Sequence, residues 1–162
     1  MIPRPFVETA VLVCAILIAA ACSSSTPASF QLTNATVDPQ SYTCPRGSTD
    51  APYDLHVTMH ARNDTAKEVI VESASAAMVL TAVKGSWLER AGDRYDAGTV
   101  AVSPANIAAK SSATLDVSIR SACTSGASTP TSSGTYQVSV HLVTSAGEFV
   151  ITAANKHQIL AG

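Results

Sequence analysis

Charge is scarce in this 162-residue chain: Asp, Glu, Lys and Arg together make up 14%, and aromatic residues only 5%. No cluster of five basic residues occurs, so the electrostatic footprint of nucleic-acid binding is missing and no nucleic-acid partner is expected. There is no long acidic tail either, and the formal net charge is −2. The short motifs of common chemistry are also missing. Gly-x-Ser-x-Gly, Ser-x-x-Lys, Cys-x-x-Cys and a glycine-rich phosphate loop are all absent, which leaves no nucleophile or cofactor cradle to name. Neither an enzyme nor a cofactor is expected. What abounds instead is Ala, Ser, Thr and Val, the usage of strand-rich secreted proteins.

Long apolar runs are limited to one. Residues 10–21 read AVLVCAILIAAA, behind a weakly positive start at Arg4. That is the length of a signal-peptide core, and it falls short of the roughly 20 residues that span a bilayer. The run ends in AAAC, with Ala20 and Ala21 before Cys22, and this ending resembles the lipobox of bacterial lipoproteins. The family usually has Leu, Val or Ile where Ala19 stands. The resemblance implies that the Cys22 thiol receives a diacylglycerol group and that a peptidase then cuts before it. A signal peptide at 1–21, a lipid-anchored linker at 22–29 and a domain at 30–162 follow. The linker SSSTPAS has the composition of a flexible tether. Acyl chains contribute about 0.8 kcal/mol per buried CH₂, so two or three of them on Cys22 would hold a small domain at a membrane. The implied location is extracytoplasmic, on the cell membrane or the outer membrane. Ser23 is the residue type that accompanies outer-membrane sorting in Gram-negative members.

Loss of the leader discards Cys14 and leaves Cys44 and Cys123. In an oxidising compartment the economical reading of one remaining pair is a disulfide. A redox or metal role for the pair is the alternative, and Arg46 in YTCPRG would lower the pKa of a free Cys44 thiol. A bridge closing a loop of about 80 residues is worth roughly 4 kcal/mol in the chain-entropy model.

From residue 29 onward the apolar period is mostly two. YDLHVTMHA sets Tyr53, Leu55, Val57, Met59 and Ala61 on one face, with His56, Thr58 and His60 on the other. NDT at 63–65 reads as a turn, with KEVIVES as the return strand of a hairpin. ATLDVSIR and TYQVSVHLVT alternate in the same way, and SAG at 145–147 turns into EFVITAA. Residues 74–83 suit either a strand or a short helix, residues 84–99 a long loop or wide hairpin, and 124–134 a Ser/Thr/Gly/Pro loop. About seven strands with no amphipathic helix predict a single antiparallel β-sandwich. The segment VSPANIAAKSSATLDVSI resembles the middle of bacterial immunoglobulin-like modules, with Lys110 where those carry Gly. An immunoglobulin-like fold is what the resemblance implies. The Cys–Trp–Cys spacing of antibody domains is absent.

Three histidines point outward in this pattern: His56, His60 and His141. Imidazole is a common Zn or Cu ligand, yet four residues of strand set His56 and His60 about 13 Å apart. Ordinary outward polar positions on half-buried strands account for them, since shared-face spacing alone rarely makes a site. The segment GSWLERAGDRYD holds the single Trp, and Trp87, Leu88, Arg90, Arg94 and Tyr95 are the types that dominate interfaces. The other reading has Trp87 fold back as a cap on a core poor in aromatics. The function expected is a non-enzymatic binding or scaffolding module at the cell envelope, held to the membrane through Cys22, with an envelope protein as partner. An extracytoplasmic Cu or Zn carrier using the three histidines is the alternative.

Overall fold

The computed structural model describes residues 29–125 and 131–162. The expected signal peptide, Cys22, most of the linker and residues 126–130 lie outside the described residues.

The alternation read in the sequence forms strands directly. In β3 (Ala51–Asn63), Tyr53, Leu55, Val57, Met59 and Ala61 are buried. In β8 (Ser111–Cys123), Leu115, Val117 and Ile119 are buried, and the two strands pair antiparallel over their full lengths. With β1 (Phe30–Asp38) beside β3 and β6 (Ala101–Ser103) beside β8, they make a four-stranded sheet in the order β1-β3-β8-β6. The second sheet runs β2 (Ser41–Cys44), β11 (His157–Ala161), β9 (Ser133–Thr144), β4 (Val69–Lys84), β5 (Arg94–Thr99). Strand β10 (Gly147–Thr152) pairs with β9, and the two-residue β7 (Asn106–Ile107) pairs with β4. All pairings are antiparallel except β2 with β11.

This strand order is that of an immunoglobulin-like sandwich. The first sheet corresponds to A-B-E-D, the second to G-F-C-C′ with the end of the A strand added beside G. The inner faces meet in one core containing Leu55, Met59, Leu80, Ile119 and Leu142. Each such side chain stabilises by about 1.5–3 kcal/mol on burial. Residues 74–83 are strand. Ala74, Ala76 and Met78 face the core, β4 is paired on both sides by β9 and β5, and that packing overrides alanine's helix preference. Residues 84–99 form the wide hairpin, with a loop at 85–93.

Two expectations change. Eleven strands are present among the described residues, because β2, β6 and β7 are too short to display a period, β5 is one arm of the 84–99 hairpin, and β11 lies beyond the last run, EFVITAA. The turn at 63–65 is not a hairpin. Strand β3 belongs to one sheet and β4 to the other, so the chain crosses the sandwich there. Both edges of β3 are taken, by β1 and β8, so β4 finds its partners in the other sheet. Asn63 anchors the crossing at 0% exposure. Its Nδ2 donates to the carbonyls of Lys67 at 2.8 Å and Ile107 at 3.0 Å, and its Oδ1 accepts from the Thr65 amide at 3.0 Å and the Thr65 hydroxyl at 2.7 Å. The 145–147 turn does form a hairpin, pairing Thr144 with Gly147.

Lys110 adopts φ 55°, the left-handed region that favours glycine. Its Nζ donates to the Asp64 carbonyl at 2.6 Å, which ties this corner to the sheet crossing. Cys44 and Cys123 form a disulfide with Cα atoms 5.9 Å apart. It joins the end of β2 to the end of β8, and so links one sheet to the other at the edge of the core.

Candidate functional site

The hydrogen-bond register fixes which loops share an end of the sandwich. Phe30 lies opposite Asn63, and Ala51 lies opposite Cys123. The chain therefore enters the domain at the end carrying the β3–β4 crossing. The disulfide, the 85–93 loop and the start of β9 are at the other end.

At that far end the loop is tied into the hairpin. Gly92 donates to the Leu80 carbonyl at 2.8 Å, Leu80 to Asp93 at 2.9 Å, and the Arg90 amide to the Asp93 carboxylate at 2.8 Å. Trp87 is half-buried and packs against the core. Its ring lies on Gly134 of β9, where a Cβ would come within 2.5 Å of the indole nitrogen. Glycine is therefore required at 134 by the close approach of the ring. The indole N–H donates to the Tyr136 hydroxyl at 3.2 Å, and that hydroxyl donates to Glu89 Oε2. Burial, and then the bond to the Glu89 carboxylate, push the Tyr136 pKa far up, so the phenol stays protonated and keeps donating. Between this chain of bonds and the disulfide is a cleft of about 120 Å³, lined by Trp87, Leu88, Glu89, Cys123, Tyr136 and Ile159.

The five residues expected to form one binding surface divide. Trp87 and Leu88 line the cleft, with Leu88 55% exposed, and Arg90 is exposed on the loop. Arg94 and Tyr95 are successive residues of β5 and so point to opposite faces. Arg94 pairs with Asp96 at 2.7 Å and borders a shallow groove on the outer face of the second sheet. The Tyr95 hydroxyl reaches across to the Arg120 carbonyl at 3.4 Å. The groove, about 310 Å³, has Ser75, Ala77, Gly98 and Ser139 among its lining, with Val150 beside it. It draws on four strands, so no stretch of sequence announces it.

The three outward histidines do not converge. His56 pairs with Asp116 at 3.0 Å, and His60 lies 3.5 Å from the Thr114 hydroxyl, both on the four-stranded sheet. His141 is on the other sheet, 3.4 Å from Glu148. His141 is thus separated from the other two by the whole sandwich. Among the described residues no group of three metal-ligating side chains comes together.

The histidine that pattern reading passed over is His157, at 0% exposure. Its Nδ1 lies 2.7 Å from the Pro39 carbonyl, which only accepts, so the Nδ1 carries the proton. Nε2 then accepts from the Tyr53 hydroxyl at 3.1 Å. Burial lowers the His157 pKa, and burial raises that of Tyr53 to about 12. Tyr42 stacks on Tyr53 with ring centroids 4.2 Å apart. These groups lock the place where the A strand leaves one sheet for the other. A lone histidine after ANK carries no sequence signal for such a role.

No protein-family model and no curated protein matches the chain. Among solved structures it is similar to the ASH/PapD-like domain of human CEP192 (PapD-like domain 7), at 11% identity and a TM-score of 0.28, covering 97% of this chain and 96% of that one. It is also similar to AggA, the major subunit of aggregative adherence fimbriae type I from Escherichia coli, at 13% identity and a TM-score of 0.33, covering 82% and 95%. The periplasmic chaperone SfaE gives 14% identity and a TM-score of 0.25, covering 78% and 55%. At these scores the likenesses carry no weight for function, and the immunoglobulin-like assignment rests on the strand order.

Proposed function

We propose that this chain is an exported lipoprotein, anchored through Cys22, whose immunoglobulin-like domain is a non-enzymatic binding or scaffolding module at the cell envelope. The observation that carries the reading is the disulfide Cys44–Cys123, which links the two sheets and belongs to an oxidising, extracytoplasmic compartment. The lipobox-like AAAC ahead of a Ser/Thr tether supports the anchor. The ordered cleft at the end remote from Phe30 supports a binding role.

Expression of the wild type and of Cys22→Ser, followed by membrane fractionation and mass spectrometry of the N-terminal peptide, tests the anchor. The wild type should sediment with membranes and carry acyl mass on Cys22, and the variant should be released. A variant that stays in the membrane fraction would remove the lipoprotein reading. Cross-linking from intact cells tests the module, which predicts a stoichiometric protein partner.

A further inference from the structure

The cleft beside the disulfide has the chemistry of a receptor for one positively charged group. Its size decides the scale. About 120 Å³ is well below the roughly 300 Å³ at which pockets for drug-sized ligands begin, and it suits the head of a single side chain. Its walls decide the kind. Trp87 and Tyr136 supply aromatic surface, Leu88 and Ile159 supply apolar surface, and Glu89 is the sole charged residue in the lining.

Glu89 is held ready. It accepts from Tyr136, whose ring is held by the core and whose hydroxyl also accepts from Trp87. No lysine, arginine or histidine among the described residues pairs with the Glu89 carboxylate. A carboxylate fixed beside two aromatic rings, with no cation of its own, attracts a cation through charge and through the ring faces together. An acidic or phosphorylated partner would be repelled.

The position suits a protein partner. Strand β3 is 13 residues long, so the sandwich extends for about 40 Å at ~3.3 Å per residue. The tether from Ser23 to Ser29 reaches at most ~25 Å. With the anchor at the Phe30 end, the cleft faces away from the lipid.

We propose that this cleft receives a lysine or arginine side chain presented by a protein partner, with Glu89 as its counter-charge and Trp87 and Tyr136 as its walls. This rests on the binding-module reading and specifies where and how the module binds.

Trp87 is the only tryptophan in the chain, so its emission reports on the cleft alone. The full-length lipidated protein in detergent is titrated with Nα-acetyl-arginine amide, and in parallel with the uncharged citrulline analogue and with Nα-acetyl-aspartate amide. A saturable emission change with the arginine probe alone is expected, weakened tenfold or more in Glu89→Gln. The amide oxygen introduced by Glu89→Gln can still accept from the Tyr136 hydroxyl, so the variant should stay folded, which its melting curve checks. Equal response to citrulline, no saturation, or unchanged affinity in Glu89→Gln would overturn the proposal. Cross-linking keeps the two readings apart. A partner captured equally by wild type and Glu89→Gln overturns the cleft and leaves the module standing. Arginine binding without any captured partner overturns the module reading and leaves the cleft's preference for a cation standing.

Discussion

Stability below neutral pH depends on His157. In the folded protein its Nδ1–H is bound to the Pro39 carbonyl and its Nε2 accepts from Tyr53, so a second proton has no acceptor to meet. Burial accordingly lowers its folded pKa from the ordinary 6.5, the value the unfolded chain retains. The unfolded state then binds more protons than the folded one as the pH drops through 6.5. The contribution of this group is fully present above the unfolded pKa and is lost as pH falls toward the folded one. One proton limits the slope to about 1.4 kcal/mol per pH unit. Between pH 7.5 and 5.5 the wild type should therefore lose up to about 1.4 kcal/mol through this residue. His157→Gln removes the titration and should cost about 1–3 kcal/mol at pH 7.5, since Tyr53 or Pro39 loses its partner. Urea unfolding of both proteins at several pH values in this window measures the difference. The wild type should converge on the variant as pH falls. Parallel curves would show that His157 titrates alike in both states, and would refute the buried neutral assignment.

Reduction of Cys44–Cys123, which are 79 residues apart, should lower stability by about 4–5 kcal/mol on the chain-entropy estimate, read from urea midpoints with and without a dithiol. An unchanged midpoint would show that the bridge does not form. Gly134→Ala should displace Trp87, costing about 1–3 kcal/mol and shifting its emission to the red, because the new methyl falls within 2.5 Å of the indole nitrogen. Emission identical to wild type would place the ring elsewhere. Asn63→Ala takes the side-chain partner from the buried Ile107 carbonyl, the part-buried Lys67 carbonyl and the Thr65 amide, and should cost about 3 kcal/mol in thermal or urea unfolding. A loss under 1 kcal/mol would mean that the crossing is held by packing alone.

The sandwich was legible wherever burial is one-sided, because a strand with one face inward writes its period into the sequence. Strands β3, β8 and β9 are such cases, and their inward residues are those the alternation selects. Strand β4 was ambiguous for a different reason. Ala74 and Ala76 are buried in the core as strand residues, and the same alanines favour a helix when read alone. The partner of each strand was less legible still. Asn63-Asp-Thr is a turn in either arrangement, and only the long-range pairing of β3 with β1 and β8, which leaves it no free edge, sends β4 to the other sheet. The candidate site shows the same limit. Trp87 stands out as a lone aromatic, but its floor is Gly134 and its hydrogen-bond partner is Tyr136, more than forty residues away. Glu89 had no distinguishing context until Tyr136 was brought to it. A glycine where a strand would ordinarily carry a side chain was the one available signal, since Gly134 opens β9 at a place where backbone must approach a ring. Side chains whose roles depend on a long-range partner become readable only through that partner. Here the partner is supplied by the β4–β9 pairing, which brings the 85–93 loop to the start of β9 and closes the cleft against the disulfide.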